Sequence, residues 1–137
     1  MAKDLLHYIV KEALIKDGWI ITHDPYRMGD YDPEWEIDFG AEKIIAAERG
    51  MEKIAVEVKS FLGLSFANEF HKILGQYLNY LSGLKRLEPE RILFVAVPDT
   101  IYEEDFQRIG IQNSIADYQV KILIFDKDKK EIIEWKK

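Results

Sequence analysis

The chain has 137 residues, 47% hydrophobic and 32% charged, a balance that suits one soluble domain able to bury a core. It contains no cysteine, which excludes a disulfide framework, a zinc–thiolate centre and a cysteine nucleophile. A formal net charge of −6 argues against a protein that coats nucleic acid through general basic surface, and leaves room for a local basic patch.

The opening residues, MAKDLLHYIVKEAL, are too polar for a signal peptide, and no apolar run of about eighteen residues occurs. The expected location is therefore the cytoplasm, with no membrane segment. No internal repeat or linker interrupts the chain, so residues 1–137 read as a single domain.

In chain order, Leu5, Leu6, Ile9, Val10 and Ala13 recur at helical spacing and predict a helix over 3–17, closed by Gly18. Residues 19–23 are β-rich and stop at the turn signal Asp24-Pro25. The polar stretch 26–34 reads as a loop. Trp35, Ile37 and Phe39 then alternate with Glu36, Asp38 and Gly40, as on a strand. An apolar patch, Ile44 to Ala47, leads into a hairpin turn at Glu48-Arg49-Gly50. Alternation resumes over 53–60, with Ile54, Val56 and Val58 on a core face and Lys53, Ala55, Glu57 and Lys59 on the other.

Ser65 suits the N-cap of a helix over 66–83, whose buried stripe is Phe66, Phe70, Ile73, Tyr77, Leu81 and Leu84. Arg91 to Val97 is nearly all apolar, as a central strand covered on both faces would be. Thr100 and Glu103 have the spacing of a capping box on a short helix. Strands near 119–125 and 131–135 flank the charged turn Asp126 to Lys130. The order α-β-β-β-α-β-α-β-β makes the fold class α/β (α+β), a mixed central β-sheet flanked by helices.

Glu57 and Lys59 leave one face of their strand roughly 6.6 Å apart. No large apolar residue shares that face, so it is expected to open on a cleft or on water. Asp38 lies opposite its aromatic neighbours on the preceding β segment, and strand pairing would bring two carboxylates and an ammonium together. Two carboxylates bind Mg²⁺ or Mn²⁺ through oxygen and leave positions for water and phosphate. A neighbouring lysine stabilises the charge of a phosphodiester under attack. The plainer alternative is a solvated strand face, or a cross-strand pair contributing less than about 1 kcal/mol.

A hairpin turning at Arg49-Gly50 sets Glu57 opposite Glu42 and leaves Asp38 four residues beyond. A bend around Gly40 would correct this. Without one, Glu42 is the reserve metal ligand. On the long helix, Gln76 and Tyr80 share a face that Lys72 and Glu69 extend; it is either a wet surface or a set of groups reaching the site or a nucleic-acid backbone. Asp4, His7 and Lys11 form a similar stripe on the first helix, where His7 and Lys11 are candidate phosphate contacts. Three Trp and seven Tyr also supply anchors for a dimer interface.

With those residues in hand, the sequence resembles the PD-(D/E)XK nuclease superfamily of restriction endonucleases and Holliday-junction resolvases. Asp38 matches its lone acid and Glu57-Val58-Lys59 its E-x-K element. Gln76 and Tyr80 resemble the Q-x-x-x-Y helix of its RecB-type branch. Ile37 stands where the motif has proline, and His7, or else Glu12, takes the place of a first-helix glutamate.

A longer resemblance covers essentially the whole chain. KEALIKDGWIITHDP (11–25), DFGAEKIIAAERG (38–50), EKIAVEVKSF (52–61), GQY (75–77) and ERILFVAVP (90–98) are similar to the XisH family, the fdxN-element excision controlling factors of cyanobacteria. This implies a restriction-endonuclease-like fold, a role in excising a DNA element, DNA and an XisI-like companion factor as partners, and a homodimer. It implies one of two activities: a Mg²⁺-dependent endonuclease with Asp38, Glu57, Lys59, Gln76 and Tyr80 at its centre, or a non-catalytic accessory to a separate recombinase.

Overall fold

The structure is a computed structural model and describes residues 2–26, 44–61 and 65–137. The alternating segment that contains Trp35 to Gly40 lies outside these residues, as do Asp38 and Glu42.

The first helix, α1 (Ala2–Lys16), ends as its sequence requires. Gly18 adopts φ +90, and the Trp19 N–H donates to Leu14 O at 3.0 Å to close the turn. Next come β1 (Ile20–His23), β2 (Ile44–Arg49) and β3 (Glu52–Val58). The apolar patch at Ile44 is thus itself a strand.

Its hairpin turns on Gly50-Met51, with Gly50 at φ +61, suited to the first central position of a two-residue II′ loop. Glu57 consequently pairs with Ile44, and the pairing with Glu42 expected from a turn at Arg49-Gly50 is corrected. The slip is an even number of residues, so each side chain keeps its face.

Helix α2 (Phe66–Leu87) starts where Ser65 Oγ accepts the Asn68 N–H at 3.3 Å. It continues past Gly83, which is buried within it, and the Glu88 N–H still reaches Leu84 O at 2.8 Å before Pro89. Strand β4 (Ile92–Pro98) is followed by α3 (Asp99–Glu103), a 3-10 turn (Asp105–Gln107) and α4 (Ile109–Asp117). Thr100 does not cap α3: it is the second helical residue, and its N–H donates to Asp99 Oδ1. Strands β5 (Ile122–Asp126) and β6 (Glu131–Lys136) complete the described chain.

These strands form a mixed sheet in the order β1-β2-β3-β4-β5-β6. β3, β4 and β5 run parallel, and the other neighbours are antiparallel. Two right-handed crossovers that advance in one direction across a sheet put their helices on one face. Accordingly α2 and the short helices cover one side, where Phe70, Ile73, Tyr77 and Leu84 pack on Ala55, Leu93, Val95 and Ile122. α1 covers the other, where Leu6, Ile9, Val10 and Leu14 meet Ile45, Val56, Phe94 and Leu123. No helix among the described residues is long and apolar enough to cross a membrane.

Phe94 anchors the α1 side, its ring 4.8 Å from that of Trp135 and nearly perpendicular to it. Phe94→Ala is expected to cost about 3–5 kcal/mol in urea unfolding. Met51→Ala, at a residue 98% exposed, should stay within about 0.5 kcal/mol.

Candidate functional site

Strand β3 has apolar partners on both sides, so Ile54 to Val58 are buried whichever way they point. Ile54, Val56 and Val58 enter the α1 layer, while Ala55 enters the α2 layer. Alternation and register then place Glu57 in the α2 layer, beside Val95 of β4. Its face is not open to water, as its lack of large apolar residues suggested. Glu57 is 0% exposed and Lys59, just past the strand end, is 4% exposed. Helix α2 supplies the apolar cover that β3 itself lacks.

Beyond Lys59 the chain turns sharply at Phe61, whose φ is +57. A left-handed conformation costs a non-glycine residue roughly 1–2 kcal/mol. The Phe61 ring offsets this by stacking on Phe66 at 5.6 Å and meeting Phe106 edge-on at 5.3 Å. This aromatic cluster fixes where β3 ends, and with it the backbone that carries Lys59.

From α2, Gln76 and Tyr80 are each 2% exposed and belong to the buried stripe, so the wet-surface reading does not hold for them. Lys72, by contrast, is exposed. Gln76 Oε1 is buried and has no hydrogen-bond partner among the described residues. Tyr77 belongs to the same buried stripe. Its hydroxyl donates to Leu93 O at 3.4 Å and accepts the Lys121 N–H at 3.2 Å. Burial pushes the Tyr77 pKa up; the Lys121 amide opposes this, and the nearby charge of Glu57 raises it further.

His7 and Lys11 stand one helical turn apart on α1, and both contact Asp24. His7 Nε2 is 2.6 Å from Oδ1, and Lys11 Nζ donates to Oδ2 at 2.9 Å. Asp24 was legible in the sequence only as a turn residue. Partial burial pushes its carboxyl up, but the Lys11 and His7 hydrogen bonds and charges outweigh that and hold it below its ordinary value of 3.8.

A second cluster gave no sequence signal. Arg91 grips the Glu88 carboxylate with Nε and Nη2, both at 3.1 Å, and donates Nη1 to Ile54 O at 3.0 Å. The Tyr26 hydroxyl donates to the same carboxylate at 2.6 Å. Burial, reinforced by the bond to Glu88, pushes Tyr26 up to about 12. This arrangement ties the chain after β1 to the end of α2.

The described residues therefore bring Glu57, Lys59, Gln76 and Tyr80 into the buried interior, with Glu57 and the α2 pair in one layer. They leave Lys72 on the surface and engage His7 and Lys11 with Asp24. No group of three or more metal-ligating side chains occurs among the described residues.

A family model described as XisH protein matches residues 1–133. The chain belongs to the XisH family. A crystal structure of an XisH family protein from Nostoc punctiforme is similar to it at 47% identity and a TM-score of 0.89, covering 98% of this chain and 100% of that one. A crystal structure of an fdxN element excision controlling factor protein from Anabaena variabilis is similar at 44% identity, again with a TM-score of 0.89, over 98% and 99% of the two chains. No curated protein matches the sequence.

Because Asp24 has a lower pKa folded than unfolded, its contribution is complete above its unfolded pKa and is lost as pH falls through the folded one. The stability gap between wild type and Asp24→Asn in urea titrations should therefore be widest near neutrality. It should narrow below about pH 4, the ordinary carboxyl range. A gap that does not vary with pH would contradict the ion-pair account.

Proposed function

We propose that this XisH family protein acts in the excision of a DNA element as a metal-dependent, endonuclease-like factor on a PD-(D/E)XK-type fold. One observation carries the reading: Glu57 has no exposed surface, and Lys59, two residues on, has almost none. Burying an ionised carboxylate or ammonium costs several kcal/mol, roughly, before pairing. Apolar residues would serve the core better, so two ionisable groups here point to chemistry.

The donors present suit a hard divalent cation such as Mg²⁺ or Mn²⁺. Glu57 offers carboxylate oxygen, and Gln76 Oε1 is a buried acceptor without a hydrogen-bond partner among the described residues. Asp38, or Glu42 in reserve, would add the second carboxylate. When bound, such a cation polarises a phosphoryl oxygen and strengthens water as a nucleophile. Lys59 would counter the charge that gathers on the phosphoryl oxygens, and α2, with Gln76 and Tyr80, would hold bulk water away. Lys72 would touch the nucleic-acid backbone from the α2 side, and His7 and Lys11 would do so from the α1 side only by exchanging Asp24 for phosphate.

A second reading has its own support. The net charge of −6 and the likeness to an excision controlling factor suit an accessory protein that uses the nuclease scaffold to bind DNA or an XisI-like companion. Homodimerisation is compatible with both readings. Leu5, Tyr8 and Ile15 are exposed apolar residues on one side of α1.

Purified protein with branched, nicked and linear DNA in Mg²⁺ or Mn²⁺ is expected to cleave, and Lys59→Ala should lower the rate by about 10²-fold or more. Cleavage that survives Lys59→Ala rejects the catalytic assignment. DNA binding without cleavage selects the accessory reading. In light scattering, the protein should have the mass of a dimer and fall to that of a monomer in Leu5→Glu/Ile15→Glu; a monomeric wild type rejects the dimer.

A further inference from the structure

The short helices, the start of β5 and the end of β6 border an open cavity of about 530 Å³ on the α2 side of the sheet. Its lining includes Lys121, Lys136 and Lys137 together with the amides of Gln112 and Gln119 and the ring of Tyr102. No Asp or Glu occurs among the described residues that line it. In a chain of net charge −6, three lysines around one concave space, of which Lys136 is paired with Glu134, make it locally basic. Such a cavity focuses positive potential and attracts anions.

Register locates this cavity relative to Glu57. Glu57 pairs with Val95, Val95 with Ile122, and Ile122 with Lys136. Directly paired residues share a face, so Lys136 stands on the face of Glu57, three strand spacings or about 14 Å away. The Lys136 ammonium lies 5.7 Å from the centre of the Tyr102 ring, on that same side. Glu134 pairs with Lys136 at 3.1 Å and raises its pKa, so the ammonium stays protonated. An exposed pair of this kind is weak and yields readily to an incoming anion.

Gln119 gives an independent sign. It ends α4 at φ +53, in the left-handed conformation where a helix ordinarily places glycine. A glutamine there forgoes stability, and its side chain lines the cavity. Strain retained where glycine would be easier points to a use for the side chain.

We propose that this cavity is a phosphate-binding site that takes the sugar–phosphate backbone of DNA, with Lys121 and Lys136 as charge partners and Gln119 as a neutral donor. The proposal rests on the DNA-handling reading above and assigns that partner a surface outside the Glu57 layer.

The test measures fluorescence anisotropy of labelled duplex DNA with the full chain over a range of salt. Lys121→Ala/Lys136→Ala is expected to weaken binding at least about tenfold and to reduce the slope of log affinity against log salt by about 2. Lys127→Ala/Lys129→Ala removes the same charge from the β5–β6 turn and should change neither. Gln119→Gly should raise the thermal midpoint yet weaken binding, a combination that a purely structural glutamine would not give.

Wild-type binding with an unchanged slope in Lys121→Ala/Lys136→Ala overturns the site, as does equal loss in the turn variant. Wild type that binds no DNA overturns both the site and the DNA-handling reading. Cleavage reports on Glu57 separately, so a failed site leaves the nuclease reading standing.

Discussion

Everything in this fold depends on β3 being covered on both faces. An antiparallel edge would leave one face in water, but here β3 runs antiparallel to β2 and parallel to β4, with helices above and below. The parallel step requires a crossover, and the crossover is α2. The connection that makes the sheet mixed thus also places the Gln76 and Tyr80 stripe over the Glu57 face. Architecture and candidate chemistry share one cause.

Much of this was legible in the sequence. Helical spacing from Leu5 to Ala13, the Ser65 cap, the apolar run from Arg91 and the alternation through Ile54 to Val58 each correspond to an observed element. Those signals are local, set by periodicity and by the backbone demands of caps and turns. The misreadings came from non-local effects. Glu57 and Lys59 looked solvent-facing because β3 offers no bulky apolar residue there, and only tertiary packing supplies α2 as the missing cover. The hairpin register depended on which residue opened the turn, and Gly50 opens it rather than ending it.

The candidate site was readable by residue type, less so by surroundings. Glu-x-Lys spacing identified Glu57 and Lys59, and the four-residue interval identified Gln76 and Tyr80. Nothing local announced that Asp24 would hold His7 and Lys11 together, since those partners are distant in sequence. In the Glu88–Arg91–Tyr26 cluster the acid and base are near neighbours, but Tyr26 arrives from far along the chain and carried only the signature of a loop.

Tyr77 has a different lesson. One side chain fills space between helix and sheet, supports a β4 carbonyl, receives the amide that introduces β5, and lies within the field of Glu57. Phenylalanine would keep the volume while withdrawing the acceptor from Lys121. Packing, strand alignment and local charge at this point therefore cannot drift independently over evolutionary time. A lineage that altered one would have to compensate the other two in the same neighbourhood.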